Sequence, residues 1–261
     1  MRKNKVATFG GGAVIGALGG LIGLGGAEFR LPLLIGAFRF AALEAVILNK
    51  AMSLVVVAAA LLFRTRTISV GTIAAHWDVI ANLLAGSLVG AWLGAGWATR
   101  LKADGLYRVI AVLLVVIAGA LLFGHGTAGG NHPILSGWVQ MAAGVGAGLG
   151  IGMVAAIMGV AGGELLIPTL VLLFGLDVKL AGSLSLAVSL PTMVVGFARY
   201  SQDRSFAVLG RNHVFVGIMA AGSLAGAFVG GLLLGVVPGA VLLPLLAGIL
   251  VVSAVKVWRH A

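Results

Sequence analysis

Cysteine is absent from the 261 residues, which excludes disulfides and thiolate metal sites. Charge is also scarce: Asp, Glu, Lys and Arg make up 9% of the chain, against roughly 25% in a soluble domain. Acidic residues are rarer still, at 7 against 17 Lys and Arg. The histidines (His76, His125, His132, His213 and His260) fall outside the apolar runs or at the edge of one and show no ligand spacing. The P-loop pattern G-x-x-x-x-G-K-[ST] is missing. No metal or other cofactor is therefore expected, and the chain carries no nucleotide-driven motor of its own. No apolar segment places serine within a helical turn of histidine, and none holds two aspartates, so an enzyme working inside a membrane is not expected either.

Hydrophobic residues, by contrast, make up 61% of the chain. Leu43–Phe63, Val79–Ala98, Tyr107–Phe123, Val139–Val160 and Leu180–Ala198 are runs close to the ~18–20 residues that cross a bilayer as a helix. Lipid offers no hydrogen bonds, so a spanning backbone must satisfy itself, and uncharged runs of this length suit helices. The formal charge of +10 does not point to nucleic acid, because Lys and Arg sit in short segments between the runs. That spacing follows the positive-inside rule. Arg2, Lys3, Lys5, Arg39, Arg100, Lys102, Arg108, Arg199, Arg204, Arg211, Lys256 and Arg259 fall on one side. Arg64, Arg66 and Lys179 fall on the other, with Arg30 near a bend. Both termini are expected in the cytoplasm, in a multi-pass inner-membrane protein surrounded by lipid. The basic start followed by an apolar run reads as a retained helix, because a second copy of that segment occurs mid-chain.

The chain repeats itself at a fixed offset of 136 residues. Gly10, Gly12 and Gly16 fall on Gly146, Gly148 and Gly152, and Gly23, Gly26, Glu28 and Pro32 on Gly159, Gly162, Glu164 and Pro168. Leu48, Ala51, Ser53 and Leu54 fall on Leu184, Ala187, Ser189 and Leu190, and AGSLVGAWLG (Ala85–Gly94) on AGSLAGAFVG (Ala221–Gly230). Each half reads as five segments: about 6–24, 27–40, 43–63, 78–98 and 107–123, then 138–160, 164–176, 180–198, 213–234 and 238–258. The second of each five is short and holds a proline, as a broken or re-entrant leg would. The first pair goes in and returns, three crossings follow, and the odd count inverts the second half. The expected fold is an all-α polytopic membrane protein with about 8–10 transmembrane segments in two inverted repeats. These occupy residues 1–124 and 138–261, joined by a linker loop at 125–137.

Inverted repeats with interrupted helices are an architecture of secondary transporters, whose sites lie mid-membrane at the helix breaks. LIGLGGAEFRLP (Leu21–Pro32) and IMGVAGGELLIP (Ile157–Pro168) mark the breaks. The N–H groups around Gly25, Gly26, Gly162 and Gly163 start the returning helices and suit an anion. Glu28 and Glu164 are read either as proton-coupling groups or as caps that complement the helix dipole. Asn49, Lys50 and Ser53 share a helical face, and their counterparts are Ser185, Leu186 and Ser189. Asn49, Ser53, Ser185 and Ser189 are read as hydrogen-bond donors to the anion, unless the serines bond between helices. The hydrogen-bonding positions are thus kept while the cation is lost, as it is at Arg30, whose counterpart is Leu166. The first half alone would bring positive charge to a shared cavity, unless Lys50 snorkels to the interface. AGSLVGAWLG and AGSLAGAFVG read as packing seams, with small residues at three- and four-residue spacing.

The duplicated G-x-G-G-x-E-x-x-x-P element resembles that of the TauE/SafE, or sulfite exporter-like, membrane permeases. It runs from Gly23 to Pro32 and again from Gly159 to Pro168, where Ala161 replaces one glycine. Serine-containing third segments and the AGSLxGAxxG runs extend the resemblance over nearly the whole chain. Lys50 within NKAMS and Ala161 depart from the family pattern. The resemblance implies a secondary transporter, coupled to protons, for sulfite, thiosulfate, sulfonates or related small organic anions. An anion channel using the same cavity is the alternative.

Overall fold

The computed structural model describes residues 4–22, 26–64, 69–124, 133–232 and 239–259. Among these there are helices and turns but no strands. The helices of the first half are α1 (Lys5–Ile22), α2 (Ala27–Gly36), α3 (Ala42–Arg64), α4 (Val70–Ala75), α5 (Trp77–Ala98) and α6 (Ala103–Gly124). Those of the second are α7 (Gly137–Met158), α8 (Gly163–Phe174), α9 (Val178–Tyr200), α10 (Ala207–Arg211), α11 (His213–Leu232) and α12 (Gly239–Trp258). Five described stretches, in α3, α5, α7, α9 and α11, are long and apolar enough to cross a membrane. The chain is therefore a polytopic, all-helical membrane protein.

The sequence did not foretell α4 and α10, which lie in the connections. Local capping accounts for α4, where the Ser69 side chain accepts from Thr72 N–H. Asp203 likewise accepts from Ser205 N–H and starts a short turn that leads into α10. The two short second segments are helices of 10 and 12 residues. At about 1.5 Å per residue they rise roughly 15–18 Å, about half of the hydrocarbon thickness. Each holds its proline in the second turn. Having no N–H, Pro32 and Pro168 leave the Glu28 and Glu164 carbonyls without their helical donors.

The two halves pack into each other, and α1 against α11 and α5 against α7 are the most extensive contacts. The first segment of each half thus pairs with the fourth segment of the other. A Cβ at Gly86, Gly90 or Gly94 of α5 would fall on the α7 backbone, and one at Gly222, Gly226 or Gly230 on that of α1. The runs read as seams are seams, and each of them joins the two halves. The third helices, α3 and α9, meet at the centre, and α6 packs on α12. Contacts also sort the helix ends. Phe38, just past α2, meets Phe215 of α11 at 4.9 Å, and Arg108 lies over Trp258 at 5.8 Å. At the opposite end Ile134 N–H and the Gln140 amide donate to the Leu172 and Leu173 carbonyls.

Candidate functional site

Both helix breaks are built on glycine in the left-handed region. Gly26, with φ 70°, precedes α2, and Gly162, with φ 80°, precedes α8. Side chains with a Cβ resist that conformation, so glycine is favoured there. Gly159, with φ 68°, ends α7. Neither α2 nor α8 has a side chain capping its N-terminus. The first N–H groups of a helix have no intrahelical partner, so both starts carry donors and partial positive charge into the protein interior. Gly25 lies outside the described residues. Gly163 is the first residue of α8 and is buried.

Glu28 and Glu164, in the first turns of α2 and α8, are 2% and 5% exposed and interact with each other directly. The two breaks therefore meet. Arg30, fully buried two residues further along α2, acts electrostatically on Glu28. No donor reaches either oxygen of Glu28, or Oε2 of Glu164, in hydrogen-bond geometry.

The third helices run alongside. Asn49 is fully buried, and its amide donates to Ala27 O at 3.0 Å and Met158 O at 3.2 Å. Lys50 is likewise fully buried, so it does not snorkel. Its ammonium donates to Ala155 O at 3.0 Å, in the last turn of α7, where the helix dipole is negative. The Lys50 side chain also passes beside Gly196 of α9, where a Cβ would come within 3.3 Å of Nζ. Among the described residues the salt bridge formed is Arg211–Glu44, so Lys50 has no carboxylate partner there. Ser189 Oγ donates to Ala161 O at 2.8 Å, and Ser185 Oγ to Gly182 O at 2.9 Å within its own helix. Ser53 Oγ is buried with no partner. The charged groups buried among the described residues are thus Glu28, Arg30, Lys50 and Glu164, and both cations come from the first half.

Sequence reasoning passed over Tyr200. Its hydroxyl, fully buried, donates to Ala156 O at 3.0 Å and so braces the same end of α7 that Lys50 engages. The available signal was weak: one of two tyrosines in the chain, at the close of an apolar run. Ser87 and Thr192 also join α5 to α9, through a 2.7 Å hydrogen bond. By contrast Arg199, half-buried, lies over the Trp92 ring at 5.5 Å.

In comparisons with known proteins, no curated protein and no solved structure matches this chain. A family model does, over residues 4–257, and its description is "Sulfite exporter TauE/SafE".

Proposed function

This chain belongs to the TauE/SafE sulfite exporter family of membrane transporters, and from that premise we propose that it is a secondary, proton-coupled carrier of a small sulfur-containing or organic anion. Sulfite, thiosulfate and sulfonates are the substrate class. Two inverted repeats of five segments, with 8–10 crossings and both termini in the cytoplasm, hold the substrate between them in the cell's inner membrane. The binding groups are the N–H groups at Gly25, Gly26, Gly162 and Gly163, the cations Arg30 and Lys50, and the hydroxyl of Ser53. Ser185 and Ser189, whose single donors go to the Gly182 and Ala161 carbonyls, join only by releasing them.

One observation carries the reading: two uncapped helix starts, one from each half, meet at Glu28 and Glu164 beside Arg30. Helix starts favour negative solutes, and fixed cations strengthen that preference away from water. Facing carboxyl groups in a poorly hydrated interior are best accommodated when they share a proton. With Arg30 and Lys50 charged, a pair holding one proton leaves the interior with one net positive charge. A singly charged anion, such as hydrogensulfite or a sulfonate, neutralises it, and a dianion such as thiosulfate does so once the pair holds a second proton. Each turnover then moves the anion together with a change in the pair's protonation, which is proton coupling.

Purified protein in proteoliposomes tests this. Labelled sulfite or thiosulfate should accumulate against its own gradient when a pH difference is imposed. Downhill flux alone would favour the channel, and no flux of either anion would reject the substrate class.

A further inference from the structure

We infer that Asn49 is a strut that holds the two helix breaks together, a positioning residue rather than a ligand of the anion. The inference rests on the transporter reading for its functional consequence, but its geometry stands independently. A side-chain amide has two N–H donors and one acceptor. Both contacts of Asn49 are made by Nδ2, and both go to backbone carbonyls, which fixes which end of the amide is nitrogen. With two partners at 3.0 and 3.2 Å, the donors are spent. No donor remains for an anion, and the atom left without a partner is the acceptor Oδ1, which repels one.

The two carbonyls belong to different breaks. Ala27 is the first residue of α2, and Met158 is the last of α7, 131 positions further along the chain. One side chain on the uninterrupted helix α3 therefore ties the start of the first half's short helix to the end of the second half's broken one. The equivalent tie is missing in the other half. Ser185 stands where Asn49 would be, and its hydroxyl turns back to Gly182 O in its own helix. A hydroxyl has a single donor and cannot span two carbonyls. The two breaks are thus tied to each other from α3, whereas α9 reaches only the second break, through Ser189 and Ala161 O.

A carrier that alternates must let its breaks move relative to each other, so this strut sets how readily the α7 end and the α2 start separate. The chain has no cysteine, so a single thiol reports on that motion without background. Ala161→Cys places one in the link between α7 and α8 of the full-length protein. Its labelling rate with a charged, water-soluble maleimide is then measured beside Asn49, Asn49→Ser and the near-isosteric Asn49→Leu. Serine keeps one donor and leucine none, and neither adds a buried charge, so the two variants remove the strut without introducing a carboxylate against the Ala27 and Met158 carbonyls. Labelling about fivefold faster or more is expected once the strut is gone, as for a local opening made easier. Equal rates would overturn the strut. Sulfite uptake adds a second readout. A strut predicts that KM stays within about twofold while Vmax changes, whereas an anion ligand predicts that KM rises about tenfold. The second pattern would also overturn the inference. If the unmodified chain carries no sulfite or thiosulfate, the transport reading fails, yet the labelling rates still decide the strut.

Discussion

Glu28 and Glu164, one from each half of the chain and 136 positions apart, confront each other where the two short helices begin. Neither Glu28 oxygen has a donor, which is costly for an ionised carboxylate inside a membrane. Both acids stand in the first turns of α2 and α8, where a carboxylate complements the helix dipole, and facing each other they can also share a proton. Proton carriage is served well. Glu28→Gln and Glu164→Gln keep the shape and remove the titrating group. Accumulation of sulfite driven by a pH gradient should then fall about tenfold or more, while exchange of sulfite across the membrane persists. Thermal stability should hold or rise, because an uncompensated buried acid has been replaced by a neutral amide. Accumulation at the unmodified level in both variants would assign the pair an architectural role.

Lys50 presents a cleaner separation of function from stability. Its backbone partner, Ala155 O, also accepts from Val160 N–H at 3.0 Å, so removing the lysine orphans no carbonyl. In the second half the equivalent position is Leu186. Lys50→Leu should therefore fold at least as stably, since a buried cation without a carboxylate partner is replaced by an apolar side chain. Transport should suffer: loss of one charge contact to the anion, about 1.4 kcal/mol, raises KM roughly tenfold. Uptake measured in proteoliposomes at several sulfite concentrations checks this. Unchanged kinetics would remove Lys50 from the site.

What could be read from the sequence is what the backbone or the lipid imposes on residue type. A left-handed turn demands glycine, so the breaks at Gly26 and Gly162 announce themselves, twice, at one offset. Close helix approach demands small residues, so AGSLVGAWLG declared a seam. It could not declare its partner, because a helix backbone accepts any small face; only the structure shows α5 lying on α7. The partners of Asn49, Lys50 and Tyr200 were invisible for a related reason. All three bond to carbonyls, at Ala27, Met158, Ala155 and Ala156, and every residue has a carbonyl whatever its side chain. A hydrogen bond to backbone leaves no mark in the composition of its acceptor. Glu28 and Glu164 were recognisable as intramembrane acids, but their meeting depends on how the two halves interlock.

The two left-handed glycines should not tolerate alanine equally. Both positions would incur about 1–2 kcal/mol for the backbone conformation alone. At Gly162 the new methyl would meet the Ile151 and Ala155 side chains at 3.1 and 3.3 Å, where small adjustments suffice. At Gly26 it would run into the Ile15 carbonyl, and backbone cannot step aside. Thermal unfolding of the purified variants should accordingly rank Gly26→Ala as the less stable of the two, with both below the unmodified chain.

The seam between α5 and α7 makes a prediction with its own control. A Cβ at Gly90 would land on the Leu149 carbonyl of α7, so Gly90→Ala forces the two helices apart. Overpacking of this kind typically costs about 1–3 kcal/mol. Gly146, on α7 itself, has nothing within 4 Å of the place its Cβ would take. Alanine there meets no obstacle and gains helix propensity, up to about 1 kcal/mol. Gly146→Ala should therefore unfold at the same temperature as the unmodified protein or higher, whereas Gly90→Ala should unfold lower. Because the seam joins the two halves, Gly90→Ala should also slow anion uptake in proportion to the folded protein recovered or more. If Gly90→Ala is as stable and as active as Gly146→Ala, the close approach of α5 to α7 is not what holds the halves together.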